Sequence, residues 1–79
     1  MADPGTVTVE DIVGLFQRIL ETDEVQPDSD FFDQGGDSLL ATRVLSAVAR
    51  RYGVELTIAE LMDVASPAAL AKLIKHTVP

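Results

Sequence analysis

The sequence predicts an all-α fold: a four-helix bundle with three longer helices, a short third helix and a long first loop. Three observations predict it. Apolar residues recur at three- and four-residue spacing along the chain, the period of one helix face. Ser, Thr or Asp stands at the head of each such stretch, where a helix needs a cap. The apolar fraction of 47% comes mainly from Leu, Val, Ile and Ala, with only 5% aromatics, a mixture suited to helices packed on helices.

After a polar lead of Asp3, Pro4, Gly5 and Thr6, Thr8 reads as an N-cap, with Asp11 three positions on as a weaker capping box. Val9, Ile12, Val13, Phe16, Ile19 and Leu20 then predict a helix over about 9–21. Gly14 inside it costs about 1 kcal/mol of helix propensity against Ala, which a close helix crossing would explain. Residues 22–37, TDEVQPDSDFFDQGGD, show no helical period; a connection of this length in a compact domain is usually functional or disordered, and this one is expected to pack on the bundle. Val25, Phe31 and Phe32 are its apolar anchors, with Phe32 the expected buried ring. The second helix runs over about 38–52 and stops at Gly53, a natural left-handed end. Val54-Glu55-Leu56 reads as an extended link. Thr57 caps a short third helix over about 58–63, with Ile58, Leu61 and Met62. Ser66-Pro67 starts a fourth over about 67–76, burying Leu70, Leu73 and Ile74. Lys72, Lys75 and His76 fall where its dipole favours cations. The whole chain, 1–79, reads as one domain.

With 79 residues the chain is near the lower limit for a core that stands without staples. It has no cysteine, which removes disulfides, thiolate metal sites and thiol catalysis. No apolar run approaches the roughly 20 residues that span a bilayer. The opening MADPGTVTVED lacks the basic and apolar regions of a secretion signal, so a cytoplasmic, free-standing protein is expected. The formal charge of −7 is uneven: residues 1–37 carry ten acids and one base, residues 38–79 five bases and three acids. That background opposes nucleic-acid binding, which needs a broad basic face.

Turned at about 100° per residue, the second helix places Leu40, Ala41, Val44, Leu45, Val48 and Tyr52 on one core face. Leu39 falls near the opposite side with Arg43, Ser46 and Arg50. An apolar residue flanked by arginines on the outer face reads as a partner surface; an incidental exposed leucine is the bland alternative.

Ser38 is the residue that needs explaining. A helix cap, by Ser38 or by Asp37 before it, is the plain reading, and a small helical adaptor would need no more. It leaves Gly35-Gly36 over, and paired glycines suit close approach by a foreign backbone or phosphate, which a helix N-terminus also favours. A serine nucleophile would need a base, and His76, the one histidine, stands near the end of the last helix. A calcium loop from Asp28 fails: Asp30 is in register, but Phe32, Asp33 and Leu39 stand where an oxygen ligand, a glycine and a glutamate belong.

The run Asp30-Phe31-Phe32-Asp33-Gln34-Gly35-Gly36-Asp37-Ser38-Leu39 resembles the phosphopantetheine attachment motif of carrier proteins, in the form used by peptidyl carrier proteins of nonribosomal peptide synthesis. The resemblance extends over nearly the whole chain. It implies the helical bundle of acyl-carrier-protein type and a protein that is no enzyme. A phosphopantetheinyl transferase would join 4′-phosphopantetheine from coenzyme A to Ser38. Gly36 and Asp37 would shape the approach, and Leu39 would contact the transferase and later partners. Phe31 and Phe32 would tie the loop to the core or the base of the arm. An adenylating enzyme and condensation or tailoring enzymes are the further implied partners, with antibiotic or related biosynthesis as the setting. No metal ligand is expected, and the protein is expected to be a monomer. A basic second helix, with Arg43, Arg50 and Arg51, sets it apart from fatty-acid and polyketide carriers, the alternative within the same chemistry. Asp37, where a histidine often precedes the serine in multidomain synthetases, points to a stand-alone (type II) carrier.

Overall fold

The structure, a computed structural model, describes residues 7–77; the polar lead 3–6 lies outside the described residues. Its elements are four helices: α1 (Val9–Leu20), α2 (Ser38–Tyr52), α3 (Ile58–Asp63) and α4 (Pro67–Thr77). No strand occurs among the described residues. The fold is the all-α, four-helix one that period and caps predict.

Local chemistry sets the helix ends. At α1 the Thr8 hydroxyl accepts from the Asp11 N–H at 3.1 Å, and the Asp11 carboxylate accepts from the Thr8 N–H at 3.2 Å. This reciprocal box satisfies two donors that would otherwise be orphaned. α1 stops at Leu20, because Glu21 turns left-handed at φ 55° and returns its N–H to the Gln17 carbonyl. Thr57 and Glu60 form the same box at α3. Ser66 accepts from the Ala69 N–H at 3.2 Å, and Pro67 fills the first position of α4, where a missing N–H costs nothing. α2 ends on Gly53, whose φ of 69° is a conformation glycine takes freely.

α1 packs against both α2 and α4, and α3 closes on α2. Ile12, Leu15 and Phe16 meet Val44 and Val48 of α2 and Leu70 and Ile74 of α4 in one core. Burying a side chain of this size contributes about 1.5–3 kcal/mol. The link after α2 alternates as an extended segment should: Val54 is buried, Glu55 exposed and Leu56 half-buried. Leu73 is only half-buried, and of the apolar residues of α3 only Leu61 reaches the core. Gly14 corrects an expectation. It is exposed, with no atom within 4 Å of where its Cβ would be, so no helix crosses closely there. Tyr52 is buried with its hydroxyl unpartnered among the described residues. Burial raises the pKa of that phenol, the Arg51 guanidinium opposes the rise and Asp11 adds to it.

The long loop is irregular yet held at both ends of its apolar stretch. The Phe31 N–H donates to the Ala65 carbonyl at 2.9 Å, and the Ala68 N–H to the Pro27 carbonyl at 2.9 Å, which fastens the loop to the start of α4. Phe31 is the fully buried ring and Phe32 is half-buried, the reverse of the expected assignment. The cause is the turn at Asp30. Its carboxylate accepts from the N–H groups of Phe32 (2.8 Å) and Asp33 (3.2 Å), aiming residue 31 inward. Phe31 then meets Phe16 edge-on, centroids 5.0 Å apart, with Phe32 edge-on to it at 5.4 Å.

Candidate functional site

The turn that brings the chain from Phe31 to α2 is built around that buried ring. Gly36 donates its N–H to the Phe31 carbonyl at 3.0 Å. A Cβ at position 36 would overlap the Phe31 ring and lie 2.7 Å from the Phe31 carbonyl oxygen. Gly35 adopts φ 100°, open to solvent but unfavourable for any residue with a side chain. The glycine pair is therefore accounted for by the protein's own turn, whatever group approaches it.

Asp37 is the N-cap of α2. Its backbone is extended (φ −130°), and its carboxylate accepts from the Leu40 N–H at 2.9 Å. Its carbonyl takes the Ala41 N–H at 2.8 Å, the first helical bond of α2. Ser38 is thus the first helical residue and is relieved of capping. It is exposed, and among the described residues its hydroxyl has no hydrogen-bond partner. Its carbonyl is engaged instead, accepting from the Thr42 hydroxyl at 2.9 Å. The N–H groups of Ser38 and Leu39 stand at the positive end of the helix dipole, and no acidic residue lies within the first turn.

This combination suits a phosphodiester on Ser38. The oxygen is open to an incoming phosphorus, and the new negative charge would rest against free amides rather than beside a first-turn carboxylate. The Asp37 carboxylate is drawn back onto the Leu40 amide, so it holds the helix start without covering the serine. His76 is exposed near the end of α4, beside a cleft between α3 and α4 lined by Val64, Ala69, Lys72 and Leu73. No group of three or more His, Cys, Asp or Glu capable of holding a metal occurs among the described residues.

A profile described as the phosphopantetheine attachment site matches residues 10–74. The chain belongs to the phosphopantetheine-attachment family. Members of this family carry a covalently attached 4′-phosphopantetheine and are carriers rather than enzymes. Relatives come from peptide assembly. The chain is 40% identical over 70 residues to the "Probable non-canonical nonribosomal peptide synthetase (NRPS) CymA" of Salinispora arenicola, covering 89% of this chain and 1% of that protein. It is 39% identical over 69 residues to the dimodular nonribosomal peptide synthase of Bacillus subtilis, covering 87% of this chain and 3% of that protein. The chain thus spans a few hundredths of the length of these relatives. Among solved structures it is similar to BlmI, a type-II acyl-carrier protein from Streptomyces verticillus involved in bleomycin biosynthesis. The TM-score is 0.80 and the identity 28%, covering 87% of this chain and 83% of that one.

Beyond Ser38 the outer face of α2 carries Leu39, Arg43, Ser46 and Arg50, all exposed, with Leu39 67% exposed despite its apolar side chain. These are the residues that the helical period placed together. Two features of the surface escaped the sequence reading. Met62 of α3, an apolar side chain, is 63% exposed. Arg18 and Ile19 of α1 join the Leu39 face across a shared groove. The first could have been found by phasing the six residues of α3 on Leu61 alone. The second depends on how α1 docks on α2, for which no local signal exists. Among the described residues no helix is long and apolar enough to cross a membrane.

Proposed function

We propose that the protein is a peptidyl carrier for nonribosomal peptide or related antibiotic-type biosynthesis, with Ser38 as its attachment residue. The observation that carries this reading is the division of labour at the start of α2: Asp37 caps, and the Ser38 hydroxyl stays exposed and, among the described residues, unpartnered. The Ser38 oxygen would displace 3′,5′-ADP from coenzyme A on a separate phosphopantetheinyl transferase. One oxygen–phosphorus bond forms as another breaks, and the hydroxyl proton leaves to a base on the transferase. Once attached, the arm supplies a thiol that holds an aminoacyl or peptidyl group as a thioester. Gly36 keeps the approach low, because a side chain there would displace Phe31 and move the serine. Asp37 fixes the helix start from which the oxygen projects. Leu39, Arg43, Ser46 and Arg50 form the face met in turn by the transferase, an adenylating enzyme and condensation or tailoring enzymes. Such meetings are brief and steered by charge. A cytoplasmic monomer acting as a stand-alone carrier fits this work, which needs no cleft of its own. The likeness to synthetase segments and to BlmI supports the peptidyl assignment over a fatty-acid one.

Incubation with coenzyme A and a promiscuous phosphopantetheinyl transferase tests it. The intact mass should rise by one phosphopantetheine, and Ser38→Ala should abolish the gain while leaving the helical signal unchanged. A wild-type chain left unmodified by several active transferases overturns the assignment.

A further inference from the structure

All four arginines of the chain, Arg18, Arg43, Arg50 and Arg51, lie around one pair of adjoining depressions on the α1–α2 face, within a protein of net charge −7. The larger, about 420 Å3, has Leu15, Ile19, Leu39 and Ala47 among its apolar walls and Arg18, Arg43 and Arg50 at its rim. The smaller, about 380 Å3, shares Arg18, Ala47 and Arg50 and adds Arg51. Neither is lined by an Asp or Glu. Among the described residues none of these guanidinium groups forms an ion pair within 4.0 Å, although thirteen acids are present in the chain. Arg51 alone is engaged, lying 5.6 Å over the Tyr52 ring.

We infer that this groove receives an acidic amphipathic helix of a partner enzyme, one apolar side chain seated between Leu39 and Ile19 and carboxylates facing Arg18, Arg43 and Arg50. The inference rests on the carrier assignment for the kind of partner, and it extends the footprint from α2 onto α1. Charge chooses the occupant. With no ion pair among the described residues, these arginines keep their field for an incoming anion, and the acidic remainder of the surface repels other acidic approaches, so orientation is selected before contact. Shape agrees, since a shallow furrow with an apolar floor accepts a helix laid lengthwise by its apolar face. Exposed ion pairs are individually weak. The groove therefore gives fast, reversible docking, as a carrier that must leave each enzyme requires. Its position sets the geometry: Leu39 at its mouth is next to Ser38, so a helix seated there stands beside the attachment point.

The test uses two short helical peptides with the same leucines, one bearing glutamates beside them and the other lysines, titrated into isotope-labelled protein. The glutamate peptide should shift the amide resonances of Ile19, Leu39, Ser46 and Ala47, more weakly as salt rises. In Arg18→Gln/Arg43→Gln/Arg50→Gln, with helical content unchanged by circular dichroism, affinity should fall about tenfold or more. Ser38→Ala should bind the peptide as wild type does, which separates this result from the loading assay: failure to load sinks the carrier assignment, failure to dock sinks the groove. Equal binding of the lysine peptide overturns the inference, as do shifts confined to α3 and α4. The same shifts produced more strongly by anionic phospholipid vesicles or by duplex DNA would also overturn it.

Discussion

The loop that leads to Ser38 and the helix face that follows it are built in opposite ways. Residues 22–37 have no regular structure, yet the stretch around Phe31 is among the most constrained parts of the molecule. A buried ring, a carboxylate-bridged turn and two hydrogen bonds to the start of α4 hold it. α2 is regular from Ser38 to Tyr52, yet its outer face stays open to solvent: Leu39, Arg43, Ser46 and Arg50 are exposed. Irregular backbone is thus the anchored part here, and regular backbone presents the uncommitted surface. The serine stands at the junction, held by the first region and displayed on the second. A site that other enzymes must find needs this arrangement, since a displayed group is useful only if its base does not move.

The sharpest way to break the comparison is to remove the anchor. Phe31→Ala should destabilise the protein by about 3–5 kcal/mol in urea unfolding, a large share of a small domain's total. Phe32→Ala, one position on but half-buried, should cost distinctly less. Equal losses would mean that the loop is held by its backbone bonds and not by one ring. Gly36→Ala places a methyl group against Phe31 and should cost about 1–3 kcal/mol, the usual range for overpacking.

At the junction the effect should be smaller and divided unequally. Asp37→Ala removes the cap of α2 and should cost about 1 kcal/mol, while Ser38→Ala should change stability by no more than about 0.5 kcal/mol. The reverse order would show that the serine caps the helix, and the case for a displayed hydroxyl would fail. On the outer face the stability effect should vanish: Leu39→Glu should lie within about 0.5 kcal/mol of wild type by thermal unfolding. Turnover of the loaded carrier by its partners should nevertheless drop.

Much of this was legible beforehand because it is local. Thr8, Thr57 and Ser66 mark helix starts by hydrogen bonds that reach only three residues, and Gly53 marks an end by its own φ angle. The inward and outward faces of α2 follow from a fixed rotation per residue, so Leu39 could be placed on the outside without knowing what lay inside. The motif around Ser38 was legible as a resemblance.

What failed had a shared cause. Which of Phe31 and Phe32 turns inward depends on how the Asp30 turn meets α1 and α4. The need for glycine at 36 comes from a ring five positions back that only the fold brings near. Gly14 lacks a neighbour because the helices cross elsewhere.

The sequence by itself determined four helices, the caps of α1, α3 and α4, the face of α2 and the serine at its head. Period and hydrogen bonding within a few residues are properties of the chain alone. Tertiary structure decided which phenylalanine is the anchor, why the turn needs its glycine, and that Arg18 shares a groove with Arg43 and Arg50. Each of these is a contact between segments far apart in sequence, and their meeting depends on how the helices settle on one core.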